Sequence, residues 1–232
     1  MQARAAERMD TRRSSVLETI GVTAYVPRGR LAGTPPLQPG AVPGPSGMDW
    51  GELAATVRVC TLCGLCATRT QTVFGTGDIR ARLMVIGEAP GAEEDRQGEP
   101  FVGRAGQLLN SMLRAAGFER PQVYIANVLK CRPPNNRDPA AGETERCLPY
   151  LRRQIQLIDP AVILCVGRIA AQRLLEWDEP LARLRGHVHR LGHTPVVVTY
   201  HPAYLLRSPT EKRKSWEDLK LAMKVVAGGD SA

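Results

Sequence analysis

The chain of 232 residues lacks any apolar run near the roughly 18 residues that a membrane-spanning helix needs, which excludes a helical membrane protein. Its opening stretch, MQARAAERMDTRRSS, has no apolar core of a secretory signal. Glu7, Asp10 and Glu18 are also out of keeping with an organelle transit peptide, so a soluble, cytoplasmic protein is expected. Cysteine is scarce. Six residues, at 60, 63, 66, 131, 147 and 165, are too few and too unevenly spaced for a small disulfide-stapled secreted domain. The Gly-x-x-x-x-Gly-Lys-Ser/Thr spacing of a phosphate loop is absent, as is any repeat of 20 to 50 residues. Acidic charge is in deficit, with 23 Asp plus Glu against 31 Lys plus Arg and a formal charge of +8. That balance favours a polyanionic partner such as nucleic acid.

What is present divides into two parts. Residues 1–47 carry six Arg against three acids and a Pro- and Gly-rich stretch over residues 33–47 that cannot sustain a helix or a sheet interior. They are expected to form a disordered basic arm ahead of one folded domain over residues 48–232, and Met48 offers an alternative translation start. From Arg82 onward, short β-branched apolar runs alternate with helix-like stretches. The runs LMVIG at 83–87, VYIAN at 123–127, VILCVG at 162–167 and VVVTY at 196–200 suit strands buried on both faces. Between them, Leu108, Leu109, Met112, Leu113 and Ala116 share one helical face, and Leu148, Leu151, Ile155 and Ile158 another. Two further helices are expected from about Arg168 to Glu176 and from about Glu211 to Val226. The alternation reads as an α/β fold, a three-layer α/β/α sandwich with a central four-stranded parallel sheet.

In an open parallel sheet ligands bind at the carboxyl ends of the strands, where loops can gather side chains. The first strand runs into Gly87-Glu-Ala-Pro-Gly91, the second ends on Asn127, and the fourth leads to His201-Pro202. A carboxylate from Glu88, an amide and an imidazole thus converge on one rim. Each alone could be a helix cap or turn residue; three at successive strand ends point to a site. The stretch Gly98-Glu-Pro-Phe-Val-Gly-Arg-Ala-Gly106 sets Phe101 on a turn before a helix, either as a plug beneath the helix or as a platform for a flat ligand.

Cys60-Thr-Leu-Cys63-Gly-Leu-Cys66 supplies a ligand pair plus a third thiol, and Cys131 and Cys147 follow on distant loops. A zinc ribbon presents a second Cys-x-x-Cys knuckle, which is missing here. Scattered thiolates of this kind suit zinc or a [4Fe–4S] cluster, with unliganded core or redox thiols as a third reading, and spacing leaves all three open. Cys165 lies inside an apolar run and reads as a small core residue.

Taken in order, Cys60-x-x-Cys63, Gly87-Glu-Ala-Pro-Gly91 with Glu94-Asp95, the Phe101 turn, Asn127-Val-Leu-Lys-Cys-Arg-Pro-Pro134, Cys147 and His201-Pro-Ala-Tyr-Leu-Leu-Arg207 resemble the iron–sulfur uracil-DNA glycosylases of family 4 over about residues 50–226. The resemblance implies a base-excision repair enzyme acting on uracil-containing DNA, single- or double-stranded, as a nucleoid-associated monomer. It implies a structural [4Fe–4S] cluster on Cys60, Cys63, Cys131 and Cys147, with Cys66 as an extra thiol. It also implies that Phe101 stacks on uracil, Asn127 reads its O4 and N3–H edge, and His201 donates toward O2. Glu88 would position water and stabilise the cationic sugar, while Gly87 and Ala89 offer backbone contacts. Leu205 and Leu206 would wedge into the base stack and Arg207 would meet phosphate. Compared with the wider superfamily, Ala89 replaces an Asp and Gly91 a Tyr. A related subgroup is trapped on its product through a histidine after the second strand; residues 130–139 contain none, which favours turnover. A non-catalytic iron–sulfur DNA-binding protein of the same fold is the alternative.

Overall fold

The computed structural model describes residues 44–228. The arm expected over residues 1–47 lies outside the described residues except for its last four, where Pro45–Gly47 makes one 3-10 turn. Asp49 then caps helix α1 (Trp50–Arg58). Its carboxylate accepts from the Glu52 amide at 2.8 Å while Glu52 accepts from the Asp49 amide at 2.9 Å, so two otherwise orphaned N–H groups are satisfied.

Six strands form one sheet: β1 (Thr76–Gly77), β2 (Leu83–Gly87), β3 (Tyr124–Asn127), β4 (Val162–Val166), β5 (Val188–Leu191) and β6 (Thr194–Thr199), in the order β1-β3-β2-β4-β6-β5. Strands β3, β2, β4 and β6 pair in parallel, and β1 and β5 add antiparallel edges. The sheet is therefore mixed and six-stranded, wider than the four-stranded parallel sheet expected. The edges escape a reading by apolar runs for a physical reason: β1 has two residues, and Val-His-Arg-Leu of β5 is only half-buried.

The helices are α2 (Ala92–Gln97), α3 (Arg104–Ala115), α4 (Ala141–Ile158), α5 (Arg168–Leu175), α6 (Leu181–Leu184), α7 (Pro202–Arg207) and α8 (Lys212–Val226). Because successive strand side chains point to opposite faces, the buried strands serve two cores at once. Met84, Ile86, Ile163, Cys165, Val196 and Val198 meet α4 and α5 through Leu151, Ile155, Ala170 and Leu174. Leu83, Val85, Ile125, Leu164 and Val197 meet α3 and α8 through Leu109, Leu113, Leu219 and Ala222. Each fully buried Leu, Ile or Val contributes about 1.5–3 kcal/mol, which makes these strands the rigid base of the rim beyond them. Parallel register aligns that rim: Gly87 pairs with Asn127, and Val166 with Thr199.

Candidate active site

The register that sets Gly87 beside Asn127 places the Asn127 amide at the end of its strand, against Gly87. Asn127 is 2% exposed, yet its Oδ1 has no hydrogen-bond partner. An unmet buried acceptor costs about 1–3 kcal/mol, so it offers a place to a ligand donor. Gly87 makes that place. A Cβ there would overlap both Asn127 Oδ1 and the ring of Phe101, so the absent side chain is the room in which amide and ring converge.

Phe101 reaches this position from a turn between α2 and α3, with a φ of 55° that a bulky residue adopts at a cost. Glu94 Oε1 accepts from the amides of Val102 at 3.0 Å and Gly103 at 3.1 Å. From the other side Arg120 donates to the carbonyl of Pro100 at 2.6 Å. Gly106, in the first turn of α3, has to be glycine, because any Cβ would overlap the Phe101 carbonyl.

The ring of His201 lies 5.6 Å from that of Phe101, centroid to centroid, at a tilt of 31°. His201 caps α7, its Nδ1 accepting from the Ala203 amide at 3.1 Å, and this assigns the proton to Nε2. Burial, helped by the charge of Arg207 and opposed by Glu94, pushes its pKa down to about 4. The imidazole is thus a neutral donor at physiological pH. Glu88 moves the other way. Burial and then the carboxylate of Asp138 raise its pKa to about 7, and Arg168 partly opposes them. Arg168 in turn stands 3.9 Å from Asp138.

Beyond Glu88, the chain passes to a second centre. Cys60, Cys63, Cys131 and Cys147 line one cavity together with Val57, Arg69, Lys130 and Tyr150; Cys66 does not. Ala89 packs among Cys131, Cys147, Leu65 and Leu129, so the cavity abuts the loop carrying Glu88. Two nitrogen donors aim at these sulfurs: Arg69 reaches Cys131 Sγ at 3.1 Å, and the Lys130 amide reaches Cys147 Sγ at 3.2 Å. Burial pushes the Cys147 thiol up to about 12 and raises that of Cys131. Among the described residues no group of three or more His, Cys, Asp or Glu is placed to hold a metal ion, although four thiols share the cavity.

Comparison with known proteins gives the family of the chain. A family model for the uracil DNA glycosylase superfamily matches residues 74–220. A type-4 uracil-DNA glycosylase of Archaeoglobus fulgidus is 42% identical over 177 residues, covering 73% of this chain and 89% of the relative. One from Thermotoga maritima is 42% identical over 174 residues, covering 73% of this chain and 91% of the relative. The chain belongs to the type-4 uracil-DNA glycosylases. A type-5 uracil-DNA glycosylase of Pyrobaculum aerophilum is more distant, 33% identical over 146 residues and covering 56% of this chain and 64% of that relative.

In this type-4 uracil-DNA glycosylase the rim sets Asn127 and Phe101 against Gly87 and His201 beside Phe101, with Glu88 one residue beyond Gly87. The three residues expected to meet DNA, Leu205, Leu206 and Arg207, divide. Leu206 is 37% exposed and Arg207 is exposed, but Leu205 is buried and lines a groove with Leu108, Met112 and Trp216. Leu205 is therefore a packing residue of α7 and not a wedge; on a helix its side chain turns away from that of its neighbour. Arg168 and Asp138, which tune Glu88, went unread in the sequence, although Arg168 follows the end of β4 and could have been found by the strand-end rule. Lys130 was also missed. It is 1% exposed, and its Nζ donates to Asn127 O at 3.0 Å, Phe74 O at 3.1 Å and Gln154 Oε1 at 2.6 Å. Its place between Asn127 and Cys131 was the available signal.

Proposed function

We propose that Glu88, Phe101, Asn127 and His201 carry the activity of this DNA-repair glycosylase, which hydrolyses the N-glycosidic bond of uracil in DNA and leaves an abasic site. A base within a duplex is out of reach, so the uracil enters the rim flipped from its stack. Its face lies on the Phe101 ring. Asn127 Oδ1 accepts from N3–H and Nδ2 donates to O4; cytosine presents the opposite pattern and leaves both atoms mismatched. The unpartnered Oδ1 beside the Phe101 ring is the observation that carries this reading.

As the glycosidic bond breaks, negative charge gathers on uracil O2 and positive charge on the sugar. His201, neutral and protonated on Nε2, donates toward O2, a preorganised contact of a kind that contributes about 2.7–4 kcal/mol. Glu88, once ionised, stabilises the sugar cation and orients the attacking water, and the backbone of Gly87 and Ala89 borders the base. Lys130, the lysine nearest Asn127 in the sequence, has its three ammonium donors engaged and is not free for Schiff-base chemistry, which supports simple hydrolysis without strand cleavage. Leu206 fills the gap left in the duplex and Arg207 meets phosphate. The enzyme acts as a monomer on uracil in single- or double-stranded DNA.

Cys60, Cys63, Cys131 and Cys147 are the residues to hold a [4Fe–4S] cluster, and N–H groups aimed at two of the sulfurs suit thiolate ligands. When bound, the cluster supplies a cross-link and no chemistry to the excision. Cys131 and Cys147 then tie the Asn127 loop and α4 to the loop after α1.

The test is a labelled oligonucleotide with one uracil, beside a thymine control, assayed for alkali-labile sites with anaerobically purified protein. Uracil-dependent release that Asn127→Ala reduces about 100-fold at unchanged cluster absorbance supports the assignment. Near-normal release by that variant removes it.

A further inference from the structure

The turn that presents Phe101 is fastened from outside the rim, by a residue that does not line the cysteine cavity. Arg120 opens the 3-10 turn Arg120–Gln122 that leads into β3. Its guanidinium donates to Pro100 O at 2.6 Å, to Phe101 O at 3.4 Å and to Asn110 Oδ1 at 3.0 Å. All three acceptors are neutral. Burial lowers the guanidinium's pKa, so the charge is partly desolvated and spent on backbone carbonyls. What it fastens is the strained residue itself. Phe101 has a φ of 55° with its ring buried, a combination that persists only where the surroundings over-determine it. Glu94 holds the amides on the far side of the same turn, and Gly106 lies against the Phe101 carbonyl. Relaxed to an ordinary negative φ, the backbone would swing the ring away from Gly87 and Asn127.

We propose that Arg120 is a positioning residue for uracil excision: by binding the carbonyls of Pro100 and Phe101 it holds the ring of Phe101 in place beside Asn127. The inference rests on reading Phe101 as the ring that stacks on uracil. In this role Arg120 acts on the base through Phe101, which a residue of general structural use would not do.

The test is a double-mutant cycle on the cluster-loaded full chain, with Arg120→Met, Phe101→Ala and both together. Two quantities are read: KM for a uracil oligonucleotide and the inhibition constant of free uracil. Loss of one base–aromatic stack predicts that Arg120→Met raises both about tenfold with kcat changed far less. In the Phe101→Ala background the same substitution should add less than about twofold. Arg120→Lys keeps a donor for Pro100 O and should recover part of the loss, and it carries the cycle if Arg120→Met does not fold. An equal effect in both backgrounds, or an unchanged uracil inhibition constant in Arg120→Met, overturns the proposal. If Phe101→Ala itself leaves both quantities unchanged, the stacking reading falls and takes the proposal with it. Impaired Phe101→Ala with normal Arg120→Met and Arg120→Lys defeats the role of Arg120 alone.

Discussion

Glu88 should write its own titration into the pH profile of uracil release. Its pKa is raised to about 7 by burial and by Asp138, with Arg168 opposing. If the carboxylate is the working form, the rate rises with pH, bends near 7 and is flat above. With a pKa near 7, about one carboxyl in a hundred is ionised at pH 5, so the rate there should lie about 100-fold below the plateau. His201 adds no second bend, because its pKa of about 4 keeps it neutral across the range. Two substitutions test the cause separately. Asp138→Asn removes a charge that raises the pKa and also frees Arg168 from a carboxylate 3.9 Å away, so both effects move the bend toward acid. Arg168→Met removes the opposing cation and moves it toward alkali. The assay is single-turnover release from a labelled uracil oligonucleotide between pH 5 and 9 at constant ionic strength. A flat profile, or shifts of the same sign in the two variants, would refute the reasoning.

The same carboxylate should be felt in stability. Its folded pKa lies above the ordinary 4.5, so nothing is lost where it is protonated in both states, and the cost grows through pH 4.5 to 7 and is complete above. Glu88→Gln should therefore raise Tm at pH 8 but hardly at pH 5. Allowing for solvent screening the gain is about 1–2 kcal/mol, or about 2–5 °C for a domain of this size. His201→Ala should slow release about 10²- to 10³-fold with little change in KM, which single-turnover and steady-state rates together would check. Cys147→Ser should strip the iron–sulfur absorbance and lower Tm, whereas Cys66→Ser should change neither, since Cys66 stands outside the cavity. Equal bleaching in both would return Cys66 to the ligand set.

The four apolar runs and the residues just beyond them were legible because burial on both faces leaves a strand no polar positions, and the strand end is where polar residues resume. Glu88, Asn127 and His201 follow from that rule alone. The edge strands did not, since β1 is held by two residues pairing with β3 and carries no apolar signal. Leu205 and Leu206 are chemically identical neighbours that only helix α7 tells apart. Arg120 was invisible for a deeper reason: its function lies in bonds to the carbonyls of residues 19 and 20 positions away, and carbonyls leave no mark in a sequence.

The four thiols that share one cavity also set an order of events during synthesis. Cys60 and Cys63 leave the ribosome more than eighty residues before Cys147 is translated, and α4, which carries Cys147, is needed to close the cavity. For that interval the early pair is a solvent-accessible dithiol open to oxidants and to stray cations. Depletion of glutathione, or an excess of zinc or copper during synthesis, should therefore harm newly made chains far more than mature ones.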